Sequence, residues 1–154
     1  MNGHHIERKA ALVKLKMSGL EVLGVVSAAI QLADAGLAIV KFLSILCSTL
    51  HDAPEYFKKQ SVQIQHLIEV ARLIQQNPSL QTTLISSLLM NCTEKAKELE
   101  EILGKATAKL KAGKVERYWK TLGGVMKGSR ISELCKSLEE EKSALILCIA
   151  SINS

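Results

Sequence analysis

Between Ser18 and Leu50 the chain carries only three charged side chains, Glu21, Asp34 and Lys41. This stretch limits the fold more than any other. Ser18 followed by Glu21 forms a capping box, in which the serine oxygen takes an orphan amide and the glutamate reaches back to the cap. The pattern predicts a helix starting near Gly19. From Val22 to Ala33 there is no charge at all, so the helix is apolar nearly all round. Such a helix is either the centre of a bundle or a segment able to enter lipid. A bilayer span takes about 20 apolar residues, and Val22 to Val40 approaches that length with Asp34 as its interruption. A charged group at the midplane costs roughly 3 kcal/mol, which weighs toward the soluble bundle. A helix stored in a core and released to lipid satisfies both descriptions. Gly36 weakens the helix interior by about 1 kcal/mol and predicts a bend near Asp34-Ala35-Gly36.

The 154 residues suffice for one domain with a real core. They are 47% hydrophobic but 3% aromatic, with two prolines, a balance that favours helices over sheets. A net charge of +5 gives mild attraction to acidic partners without choosing among them. Cys47, Cys92, Cys135 and Cys148 are widely spaced, without a C-x-x-C pair. Each lies on or beside an apolar stripe, as expected of reduced, buried thiols in a cytosolic protein rather than zinc ligands.

Residues 1–16 differ in character from the rest of the chain. His4 and His5 beside Gly3 have the look of a cloning leader, with Met17 as the natural start and residues 17–154 as one helical-bundle domain. The helical spacing of Ile6, Ala10, Val13 and Met17 allows the alternative, that this leader extends the first helix. Asp52 and Pro54 mark the start of a second helix, running to Gln76. Its seam is Phe57, Ile64, Leu67, Ala71 and Ile74, broadened by Val70 and Leu73, with His66 bordering it. Asn77-Pro78 breaks the chain, and Ser79 is placed to cap a third helix over 80–112. The third helix carries a stripe of Leu84, Leu88, Cys92, Leu99, Leu103, Ala106 and Leu110, with Ile85, Leu89 and Ile102 alongside, and stops at Gly113. A short amphipathic piece, 114–122, precedes the glycines at 123, 124 and 128. A last helix over 130–152 turns Ile131, Leu134, Cys135, Leu138, Leu145 and Ile149 inward. The fold class is therefore all-α: an antiparallel four-helix-type bundle with one short extra helix, the first helix being apolar and central.

The sequence contains no H-E-x-x-H, no G-x-S-x-G and no interpretable cysteine–histidine pairing. Gly123 to Ser129 is a poor phosphate loop, lacking the lysine before the serine and a preceding strand. Glu100 and Glu101 sit on a charged, solvated helix face. No enzyme, cofactor or metal is expected. What stands out besides the first helix is a basic run of Lys105, Lys109, Lys111, Lys114, Arg117, Lys120, Lys127 and Arg130, with Tyr118 and Trp119 among them. Each cation gains up to about 1 kcal/mol near an acidic leaflet, and Trp and Tyr favour the headgroup layer. A solvated lysine face near helix C-termini explains the run equally well. Nucleic acid is not expected, for want of stacking aromatics or a reading helix.

The residues MSGLEVLGVVSAAIQLADAG at 17–36 resemble the start of SesA and HeLo-like domains, which stand at the N-terminus of fungal NACHT-type NOD-like receptors. The resemblance extends through Asp-Ala-Pro at 52–54, the long middle helix, the basic segment and the final apolar helix. It implies a signalling or executing module of fungal innate immunity and heterokaryon incompatibility. In HeLo-type relatives the N-terminal helix damages membranes once the receptor oligomerises. That role carries over to the helix bearing Val22, Val25, Val26, Ile30 and Leu37, with Glu21 and Asp34 as its polar marks.

The expected function is thus a membrane-targeting cell-death module, cytoplasmic at rest and membrane-associated when activated. Clustering into a homo-oligomer releases the first helix into anionic lipid, which the basic run holds. The alternative is an adaptor bundle that relays oligomerisation to a helical effector protein through groups such as Lys97, Glu101 and Arg117 and never enters lipid.

Overall fold

A computed structural model describes the backbone of residues 2–49, 54–111 and 130–154, and the side chains of residues 24–49, 55–109 and 130–154. Helix α1 spans Asn2–Thr49, α2 Pro54–Gln76, α3 Thr83–Lys111 and α4 Arg130–Asn153, with a 3-10 turn at Pro78–Leu80. Among the described residues there is no strand.

The first helix does not begin at Gly19. It runs unbroken from Asn2, and Ser18 lies inside it. No proline interrupts residues 2–49, and alanine, leucine, lysine, arginine and methionine keep helix propensity high across the leader. The local capping box loses to that continuity. Nor is the helix interrupted at Gly36.

Helix α2 has its expected limits. Pro54 occupies the first helical position, where its missing N–H costs nothing, and Asn77 closes the last turn by donating from its side chain to the Leu73 carbonyl. Two expectations around α3 are corrected. Ser79 belongs to the 3-10 turn, and it is the Thr82 hydroxyl that accepts the Ile85 amide, at 3.3 Å, to cap the helix. The buried stripe keeps Cys92, Leu99, Leu103 and Ala106 as expected, and only its first two turns shift by one residue, from Leu84 and Leu88 to Ile85 and Leu89. Ile85, Leu89, Cys92, Ala96, Leu99, Leu103 and Ala106 are buried, whereas Leu84 is 61% exposed and Leu88 half-buried. On α2, Ile68 replaces Leu73 in the seam, and Leu73 points outward. Asp52, Gly113 and the short piece at 114–122 lie outside the described residues, as does the side chain of Leu110.

Helix α1 packs on both α2 and α3, and α4 closes the ring against α3 and, more lightly, α2. Thr93 meets Ala28, and Lys97 meets Gln31, so α1 and α3 run parallel. Lys95 meets Glu141 while Arg130 reaches Glu98, so α3 and α4 run antiparallel. Four residues join α1 to α2, which makes them an antiparallel hairpin.

Small residues put α1 at the hub. Ala28, Ala29, Ala33, Ala35 and Gly36 let two neighbouring backbones approach closely, while Val25, Leu32, Ile39, Leu43 and Leu46 fill the spaces between. One continuous core results, reaching from Val25 to Ile149.

Candidate functional site: the outward face of the first helix

Of the residues expected to enter lipid, Val25 is fully buried and Val26 half-buried. Ile30 is 40% exposed, Leu37 is 49% exposed, and Asp34 also lies outside. Glu21 and Val22 are within the helix, but their side chains lie outside the described residues. The helix is therefore central without being enclosed. Its apolar composition hides a division between a covered face and an open one, running Ser27, Ile30, Asp34, Leu37, Lys41. Steps of three and four residues keep these side chains in line along one side.

Polar contacts tie α1 to α3. The Lys97 ammonium donates to Gln31 Oε1 at 2.6 Å, and Gln31 Nε2 donates to Ser27 Oγ at 3.2 Å. The buried Thr93 hydroxyl lies 2.7 Å from its own Leu89 carbonyl and 3.3 Å from the Ala28 carbonyl across the helix interface. Further along the interface the Phe42 ring lies against Gly104.

The basic run is brought together only in part. Lys105 is exposed and pairs with Glu101 at 3.2 Å, one helical turn away. Lys109 is exposed and engaged in an interaction of its own. Lys111 belongs to the last turn of α3, with its side chain outside the described residues. Lys114, Arg117, Lys120 and Lys127 lie outside them altogether, with Tyr118 and Trp119. Arg130 sits on two carboxylates. Its Nε and Nη2 donate to both oxygens of Glu98 at 2.7 and 2.9 Å, and Nη1 donates to Glu133 at 3.3 Å. That bidentate hydrogen bond holds the Glu98 carboxyl below the usual carboxylate range. Arg130 thus serves to pin the start of α4 to α3.

Sequence reasoning missed Lys142. It is buried on α4, and its ammonium donates to Gln63 of α2 across a shallow cleft lined by Gln60, Glu139 and Cys135. The signal was present, since Lys142 falls on the inward series with Leu138, Leu145 and Ile149. The cysteines are free thiols, Cys92 and Cys135 buried as expected, Cys47 and Cys148 only half-buried. Burial pushes the Cys92 thiol up to about 12, and burial pushes Cys135 up to about 11. Burial likewise raises the Tyr56 hydroxyl to about 12. None of these is poised as a nucleophile near neutrality. Among the described residues, no cluster of three or more His, Cys, Asp or Glu is placed to hold a metal ion.

Comparison with known proteins places the chain in a family. A family model for SesA, the N-terminal domain on NACHT NTPases and P-loop NTPases, matches residues 22–145. The chain belongs to the SesA family. No curated protein and no solved structure matches it. As a SesA domain it is a signalling module of NOD-like-receptor-type proteins. The matched region takes in the whole described face of α1 and most of α4, the two diagonal helices of the bundle.

Proposed function

We propose that this SesA domain is a cell-death effector that reaches membranes through α1 after its attached NTPase clusters it. The supporting observation is the segment Gly24–Thr49, 26 residues of helix long and apolar enough to cross a bilayer, of which less than half is buried. At 1.5 Å per residue it extends about 39 Å, beyond the roughly 30 Å of a hydrocarbon core. Withdrawing it into water would expose Leu32, Ile39, Leu43 and Leu46, at about 1.5–3 kcal/mol for each large side chain. Withdrawing it into lipid would not, because acyl chains are as apolar as the leucines they replace. The device works only where a membrane waits. Lys105 and Lys109, with Lys111, Lys114, Arg117, Lys120 and Lys127, are the cations proposed to meet anionic headgroups. The domain would be cytoplasmic before clustering and membrane-bound after it.

The test is dye release from anionic vesicles by the domain fused to an inducible oligomeriser. Ile30→Glu with Leu37→Glu alters the open face alone, so circular dichroism is expected to stay native while leakage falls at least about tenfold. A charge at membrane depth costs about 2.5–3.5 kcal/mol in a helix centre, enough for that loss. A native-folded double variant with undiminished leakage would refute the proposal. If clustered wild-type domain leaves vesicles intact, the adaptor role takes its place, and the hub position of α1 becomes purely structural.

A further inference from the structure

We infer that the open face of α1 is a docking surface for a second copy of this chain, placed antiparallel across a two-fold axis near Leu37 and Ala38. Three observations converge. First, Ile30 and Leu37 are large apolar side chains left exposed on a helix whose other sides are covered by α2 and α3. Second, Asp34 and Lys41 lie on the same line, and among the described residues neither has an ion-pair partner. Seven positions separate them, about 10 Å along the helix, too far to pair with one another. Third, their placement is self-complementary. In an antiparallel pair of identical helices crossing between positions 37 and 38, position 34 of one helix stands level with position 41 of the other. Both Asp34–Lys41 pairs then form across the interface at once, as an isologous contact requires.

The remaining positions fit the same register. Leu37 stands level with the short Ala38 of the other copy, and Ile30 level with the half-buried Ile45, so apolar side chains meet apolar ones. A parallel pairing brings no acid level with a base. The face is a single helix stripe, smaller than the roughly 800 Å² per partner of a stable interface, so the association belongs to the weak, micromolar class. This inference does not depend on α1 meeting lipid. A resting pair would shield Ile30 and Leu37 from water in either functional reading.

The test is sedimentation equilibrium of the chain in lipid-free buffer at concentrations up to about 100 μM, the range of weak interfaces. Wild type should move from 16.8 kDa toward twice that mass. Asp34→Lys sets lysine against lysine, and Lys41→Asp sets aspartate against aspartate. Each should weaken association at least about tenfold, since like charges placed face to face are repulsive. The combined Asp34→Lys, Lys41→Asp chain restores both pairs with reversed polarity and should recover the dimer. All three changes are on exposed positions and leave the core intact. A monomeric wild type overturns the inference, and so does a combined variant no better than the single ones.

Discussion

Gly36 offers a sharp test of the packing around α1. A Cβ built there would lie 2.6 Å from Ile68 Cγ1, 3.1 Å from Ile68 Cδ1 and 3.6 Å from Ile64 Cγ2. Real Cβ contacts do not come so close, so Gly36→Ala forces something to move. Ile68 is buried, and a β-branched side chain in a helix is held near one χ1 rotamer. It has no cheap retreat. Overpacking of this kind costs about 1–3 kcal/mol, against which alanine returns about 1 kcal/mol of helix propensity. The net expectation is about 0–2 kcal/mol of destabilisation, a fall of up to about 8 °C in Tm for a domain near this size. Gly24 is the control, because nothing lies within 4 Å of its Cβ position. Gly24→Ala should stabilise by about 0.5–1 kcal/mol. Ile68→Ala removes the obstructing atoms, so on that background Gly36→Ala should change sign and stabilise. Urea titration monitored by far-UV circular dichroism gives all four numbers. A stabilising Gly36→Ala in the otherwise native chain would refute the close approach of α1 to α2 and the hub built on it.

Two further outcomes concern the titrating groups. Cys92 and Cys135, raised to about 12 and about 11 by burial, should resist a thiol-specific reagent at mildly alkaline pH until the chain unfolds, while the half-buried Cys148 reacts in the native state; native-state labelling of Cys92 would contradict the core assignment. Glu98 is held below its ordinary range by Arg130, so its contribution is present above the unfolded carboxylate value and lost as pH falls through the lower folded one. Amide protection factors in the first turn of α4 should therefore drop in acid for the wild type, and should already be reduced at neutral pH in Glu98→Gln.

Much of the fold was legible where the determining interaction is local. Pro54 at a first helical position and the Asn77-Pro78 break act within a few residues, and α2 ends where they say. The inward series of α4 was plain in its first half, where Ile131, Leu134 and Leu138 stand among Arg130, Glu133, Lys136 and Glu139, and Leu145 and Ile149 continue that phase through apolar neighbours. Helix α3 was harder to phase. Leu84 and Ile85 are adjacent apolar residues, as are Leu88 and Leu89, and either pair satisfies a helical repeat. Only contact with α1 and α4 chose Ile85 and Leu89 for the interior. Ser79 and Thr82 are comparable caps on paper. The 3-10 turn at Pro78 consumed the first and left the second for α3.

The candidate site divides in the same way. Sequence alone determined that the chain is all-helical and holds one segment apolar enough for either a core or a bilayer, since propensity, proline placement and charge spacing are properties of neighbouring residues. It marked the uncovered side of α1 only weakly, because Val22 to Ala33 is apolar all round and only Asp34 and Lys41, seven positions apart, point to one side. The tertiary structure decided that. Alanines and Gly36 admitted α2 and α3 to two sides, and what those helices left bare became the open line of Ile30, Asp34, Leu37 and Lys41.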